Sequence, residues 1–171
     1  MNQGRKDQPS VDAAGRRLAP LLYLVQLHEM PNIVTGNVIT TEVYRPDWGL
    51  ERDTVQHIMH EQLRAFAISA WHRHNLQTDR IFVTDGSLRL VLYDVRPALP
   101  TEGMVTELRL SRMRPTLVTI PPGLWHGLQN MGGDGAGFSN FFTHAYQYGD
   151  PDERRLPHDT PDVVYRFPKL P

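Results

Sequence analysis

Residues 71–79 read Trp-His-Arg-His-Asn-Leu-Gln-Thr-Asp, with Gly86 following, and residues 121–126 read Pro-Pro-Gly-Leu-Trp-His, with Asn130 further along. Side chains alternate along a strand, so His72 and His74 project to the same side. Asp79 then opens the next strand, and Asp85-Gly86 between two apolar runs signals a hairpin. An inward-facing His126 completes a set of three imidazoles and one carboxylate in the mouth of a small barrel. Such a set suits a divalent first-row metal (Fe, Mn, Co, Ni, Cu or Zn) and leaves positions for water or substrate. The plainer reading is that isolated histidines are surface or satisfied core groups, that Pro-Gly before a histidine marks only a turn, and that Asp79 is short for a ligand. His28, His57, His60, His144 and His158 lack any partner pattern and take that plainer reading.

Outward from these two stretches the chain is a succession of short β-branched and aromatic runs. The strands expected are 37–44, 65–71, 80–84, 87–94, 104–110, 116–120 and 138–144. Breakers separate them at Pro46-Asp47, Asp85-Gly86, 97–103, 121–123 and 131–137. Helical periodicity is weak, allowing a turn or two at 52–63 and 151–156. Many short strands at this spacing indicate a barrel or jelly roll. The chain has 14 Pro, and the segment after Pro151 reads as an extended arm wrapped on the barrel. The expected organisation is a flexible tail over 1–17 and one domain over 18–171.

Composition narrows the function classes. The chain has 171 residues, 40% apolar and 22% charged, with 18 Lys+Arg against 19 Asp+Glu and a formal net charge of −1. That balance gives no electrostatic case for nucleic acid or an anionic membrane as partner. Cysteine is absent, which excludes disulfides, thiol nucleophiles and thiolate metal sites, so any metal must be held by imidazole and oxygen, and the 8 His gain weight. The apolar run 18–27 after Arg16-Arg17 is too short to span a bilayer. It reads as a core strand of a cytoplasmic protein.

The spacing of both stretches resembles the two cupin motifs, HxH with an acidic residue and Gly, then PGxxH with Asn. Asp79 stands where most cupins have Glu. From about Asn37 to Pro168 the chain also resembles the dTDP-4-dehydrorhamnose 3,5-epimerase family, itself a cupin jelly roll. The likeness is carried by Glu42-Val43-Tyr44, Val55-Gln56, the run from Gln77 to Arg96, the run from Ile120 to Gly127, Asp152-Glu153-Arg154, and the closing segment from His158 to Pro168. The resemblance implies an all-β double-stranded β-helix with short helical segments and a C-terminal arm. It also implies a homodimer joined through N-terminal strands. An edge strand at 21–26 would serve that purpose.

The family's reaction removes a proton beside a 4-keto group and returns it on the opposite face. It uses a histidine–aspartate base, a tyrosine acid, and Arg and Lys to stabilise the enolate. By that resemblance His72 falls on the base. Ser69 falls on the Arg, Asp79 on the Lys and Asn140 on the Tyr, while the dyad aspartate lies in a C-terminal segment without a counterpart here. Glu42, Tyr44 and Gln56 fall where the family contacts the nucleotide, and Trp125 and Asn140 are further candidate substrate contacts. Trp71 and Trp125 read as an aromatic wall.

Stabilising an enolate needs positive charge or strong donors in a dry site. Exchange of Lys for Asp79 reverses the charge and favours a metal-assisted mechanism. The leading expectation is a nucleotide-sugar epimerase or isomerase without organic cofactor. The alternatives are a metal-dependent cupin of another class, such as an oxygenase or small-molecule isomerase, and a non-catalytic metabolite-binding cupin. His72 cannot be base and metal ligand through one nitrogen, since a ligated nitrogen has no lone pair left.

Overall fold

The computed structural model describes residues 8–50 and 54–171. Among these, twelve strands run in chain order: β1 Gln26–Glu29, β2 Ile33–Val34, β3 Ile39–Thr40, β4 His57–Leu63, β5 Ile68–Arg73, β6 Asp79–Val83, β7 Ser87–Asp94, β8 Val105–Ser111, β9 Thr116–Ile120, β10 Leu124–Asn130, β11 Ala136–Phe142 and β12 Arg154–Arg155. They form two five-stranded antiparallel sheets, β1-β9-β6-β11-β4 and β12-β5-β10-β7-β8, plus the small hairpin β2-β3. From β4 on, the chain passes from one sheet to the other at almost every turn, β7 to β8 excepted. This is the jelly-roll winding that the two motifs imply.

The alternation of side chains along each strand builds the core. From β7, Leu88, Leu90 and Leu92 point between the sheets and are fully buried, meeting Ile81, Val118 and Ile120 from the facing sheet. Burying each such side chain contributes roughly 1.5–3 kcal/mol. The opposite side of the second sheet is also covered. Val91, Trp71 and Trp125 pack there against Val163, Tyr165 and Phe167 of the extended C-terminal arm. The Tyr165 hydroxyl donates to Glu107 at 2.6 Å, and Gln129 donates to the Pro168 carbonyl at 2.9 Å. Burial, reinforced by Glu107, pushes the Tyr165 hydroxyl up to about 12.

Several local expectations change. Asp85-Gly86 is a tight turn, with Gly86 at φ +70° and its position for a Cβ 2.7 Å from that of Ala136. It joins β6 and β7, which belong to different sheets, so it is a sheet switch rather than a hairpin. The turn chemistry fixes the reversal but not which strands pair. The segment allowed a helical turn or two, 52–63, instead carries edge strand β4, held by β11 through the register Ala136↔Leu63 to Phe142↔His57; residues 52 and 53 of it lie outside the described residues. The turn expected at 151–156 carries the extended pair β12. Of the run 18–27 only its end enters β1, because Leu22 to Val25 close a turn with Leu24 at φ 66°. The strand expected over 37–44 shrinks to β3, and the helical content of the described residues is the single turn Pro46–Trp48.

Of the tail, residues 1–7 lie outside the described residues. Within 8–17, Asp12 accepts the Ala14 and Arg16 backbone N–H groups, each at 2.9 Å. No helix among the described residues is long and apolar enough to cross a membrane.

Candidate active site

β5 and β10 lie side by side in the second sheet, with His126 directly opposite His72 in register. The jelly-roll winding brings β6 and β11 across from them, so Asp79 and Asn140 face the two histidines. His74 follows the end of β5, and the Gly123 N–H donates to its carbonyl at 2.7 Å. This bond ties the Pro121-Pro122-Gly123 turn to the first motif. His72, His74, Asp79, His126 and Asn140 together line a cavity of about 390 Å³.

The His72 ring is held at both nitrogens. Nδ1 lies 2.8 Å from Glu153 Oε1, and Nε2 lies 3.0 Å from the Ser69 hydroxyl. A carboxylate only accepts, so Nδ1 carries the proton and donates to Glu153. The Nε2 lone pair then faces the cavity and accepts from Ser69. Burial lowers the His72 pKa, and Arg155 and His74 add to the shift against the upward pull of Glu153. Burial also acts on Glu153 by raising its pKa, but the bonds to His72 and Arg155 outweigh it and hold the carboxyl below its usual range. A neutral imidazole oriented by a half-buried carboxylate is the arrangement of a general base.

Glu153 reaches the site because a strap crosses β5. β12 pairs with it through Arg154↔Arg73 and Arg155↔His72. The strap is pinned by Asp152, whose carboxylate accepts the backbone N–H groups of Asn75, Leu76 and Gln77 at 3.0, 2.8 and 3.0 Å. Those bonds outweigh burial and hold the Asp152 carboxyl below its usual range.

A second group sits beside the first. Asp79 Oδ2 is 3.2 Å from His126 Nε2 and 3.5 Å from His74 Nε2, without hydrogen-bond geometry to either. Its other oxygen accepts from Gln77 at 2.7 Å. His74 Nδ1 donates to the Asp152 carbonyl, so its Nε2 presents a lone pair toward Asp79. Burial pushes the Asp79 carboxyl up against the pull of His74, Gln77 and Asn140, and the same burial, with the other two histidines, holds His126 well below the ordinary imidazole range.

The four residues expected as metal ligands therefore divide. His74, Asp79 and His126 bring ligand atoms together, while His72 lies outside that group, its Nδ1 held by Glu153 and its Nε2 beside the Ser69 hydroxyl at the cavity. Of the expected substrate contacts, Asn140 lines the cavity and accepts the Arg80 N–H at 3.1 Å. Trp125 does not face the cavity. It turns to the outer side of its sheet beneath the arm, with the Arg73 guanidinium 5.0 Å over its ring, because inward His126 places its neighbour outward. Glu42 pairs with Arg45 at 3.6 Å, and Tyr44 stacks on Phe141 at 6.0 Å. The Gln56 backbone N–H bonds to Phe142. Within this one chain none of these three lines the cavity. Glu153 was the residue sequence reasoning missed as a partner of His72, and Ser69 the second. The signal for Glu153 was Asp152-Glu153-Arg154, an acidic pair just before the arm.

No family model matches the chain. It is 30% identical over 119 residues to the probable low-salt glycan biosynthesis epimerase Agl13 of Haloferax volcanii, covering 69% of this chain and 76% of that relative. It is 32% identical over 100 residues to the spore coat polysaccharide biosynthesis protein SpsL of Bacillus subtilis, covering 58% of this chain and 66% of SpsL. Among solved structures it is similar to a dTDP sugar isomerase from Desulfovibrio desulfuricans, with a TM-score of 0.79 and 27% identity over 86% of this chain and 94% of that one.

Proposed function

The chain belongs to the dTDP-4-dehydrorhamnose 3,5-epimerase-like family of dTDP-sugar isomerases, and from that premise we propose that it inverts a carbon beside the keto group of a nucleotide-linked keto-sugar in carbohydrate biosynthesis. The observation that carries the mechanism is the His72–Glu153 pair, with Nδ1 bound to the carboxylate and Nε2 turned to the cavity. Nε2 takes the proton from the carbon next to the carbonyl. The C–H electrons move into the enolate, and Glu153 stabilises the imidazolium that forms. The pair thus supplies the dyad that the resemblance left without a carboxylate.

The test is to incubate the protein with a dTDP-linked 4-keto-6-deoxy sugar and read the product's configuration by NMR. Inversion at a carbon flanking the ketone is expected. Recovery of unchanged sugar across such substrates would contradict the proposal. We further read the molecule as a cytoplasmic homodimer. The hairpin β2-β3 supports the dimer, since Ile33, Val34 and Ile39 are 55%, 69% and 69% exposed at the N-terminal end of the fold. Light scattering should give twice the 19.6 kDa chain mass.

A second reading concerns a divalent cation at His74, Asp79 and His126. Donor atoms bound to one cation at about 2.1 Å stand roughly 3.0–3.4 Å apart; Asp79 Oδ2 lies 3.2 Å from His126 Nε2, within that range, and 3.5 Å from His74 Nε2, just beyond it. The bond from His74 Nδ1 to the Asp152 carbonyl is the outer support that metal-bound imidazoles show. A cation there would supply Lewis-acid stabilisation of the substrate oxygen, the positive charge lost with the family's Arg and Lys. Elemental analysis of protein purified without a His tag should find near-stoichiometric metal, lost in His74→Ala/His126→Ala. Metal-free wild-type protein after incubation with Mn, Fe, Co, Ni, Cu or Zn would contradict this reading.

A further inference from the structure

Epimerisation needs two proton-handling groups, one on each face of the reacting carbon. Return of the proton by the group that removed it would only regenerate the substrate. The His72–Glu153 pair stands on the second sheet. The position that aligns with the family's acid holds Asn140, an amide that cannot supply a proton to carbon.

Glu61 lies on β4, at the edge of the facing sheet, paired with Phe138 on β11. The alternation that turns Met59 inward on β4 and Phe138 and Asn140 inward on β11 also turns Glu61 inward, and all four line the cavity. We propose that Glu61 is the general acid that protonates the enolate carbon on the face opposite His72. This inference rests on the epimerase reading of the cavity.

The surroundings suit that role. Glu61 stands at the solvent-exposed rim of the cavity, where partial burial and then the carboxylates of Asp79 and Glu153 push its carboxyl up, while Arg155 and His60 oppose the rise. The raised carboxyl holds its proton to higher pH than a solvated glutamate. In the step itself, the enolate oxygen reforms the C=O bond. The C=C electron pair takes the Glu61 proton, which leaves Glu61 as carboxylate and His72 as imidazolium. Proton exchange with water through the open mouth restores both. Tyr146 is the other acidic hydroxyl lining the cavity, and it is the natural control.

The experiment follows a dTDP-linked 4-keto-6-deoxy sugar in D2O with wild type, Glu61→Gln, Glu61→Asp and Tyr146→Phe. It reads deuterium entry beside the ketone and product configuration separately. Glu61→Gln should keep His72-dependent deuterium entry while inversion falls by about 10²-fold or more. Glu61→Asp should recover inversion in part, and Tyr146→Phe should keep both. Inversion at the wild-type rate by Glu61→Gln, or loss of inversion in Tyr146→Phe alone, would overturn the assignment. Wild-type protein that neither exchanges nor inverts would overturn the epimerase reading itself, and the role of Glu61 with it.

Discussion

Replacement of His72 by Asn should lower turnover by about 10²–10⁴-fold, the range expected when a positioned general base is removed, with a melting temperature close to wild type. The ring lies at the cavity wall, and its loss empties no hydrophobic core. Glu153→Gln should act on the same step by another route. An amide at that position can donate to Nδ1 where the carboxylate only accepts. The proton would then shift to Nε2, and the base would lose the lone pair that faces substrate.

The pH dependence separates the two variants. Burial is the largest influence on His72 and keeps it neutral below the ordinary imidazole range, while Glu153 pulls the other way. The neutral form is the active one, so activity is lost as pH falls through the folded pKa of His72. Removing the Glu153 charge removes the upward pull. The acid limb of kcat/KM in Glu153→Gln should therefore move to lower pH, on top of a reduced plateau, and an unmoved limb would show that Glu153 does not act on His72.

The second large effect is on stability. Trp71 is fully buried between the second sheet and the arm, with its ring 5.2 Å from Phe167 and 6.4 Å from Tyr165. Its backbone exchanges hydrogen bonds with Leu156 at 2.7 and 3.1 Å. Trp71→Ala should cost about 3–5 kcal/mol through lost burial and the cavity left behind. For a chain of this size that lowers the melting temperature by roughly 6–20 °C. The arm loses its main apolar anchor, so limited proteolysis should cut after Leu156 earlier than in wild type. Since Trp71 precedes His72 on β5 and faces the opposite way, activity should fall together with the arm's order. A melting temperature within a degree or two of wild type would show that the arm is held elsewhere, with Glu107–Tyr165 the first place to look.

The fold was legible because its signals are local and repeated. HxH followed by an acidic residue and PGxxH followed by Asn each mark a strand end and the turn beside it. Asn130 itself proves to be a tie, its amide donating to the carbonyls of Arg64 and Asp134 at 2.9 and 2.6 Å. Pairing was less legible. Asp85-Gly86 announces a reversal equally well whether the next strand stays in the sheet or leaves it, and edge strand β4 shows little apolar periodicity because only one neighbour pairs with it.

The site was legible as a set of histidines and illegible as a division of labour. Strand alternation put His72, His74 and His126 at one cavity, but which nitrogen faces what depends on partners far along the chain. Glu153 lies 81 residues from His72, and Asp152 lies 75–77 residues from the three N–H groups it accepts. No spacing rule connects them. Trp125 misled because its neighbour His126 faces inward, which sends the indole outward to the arm.

The central claim is that His72, oriented by Glu153, removes a carbon-bound proton from a nucleotide-linked keto-sugar. Its most direct test is NMR of such a sugar in D2O with wild type and His72→Asn side by side. The expected result is deuterium entry at the carbon beside the ketone in wild type and its loss in His72→Asn. Undiminished deuterium entry in His72→Asn would contradict the claim.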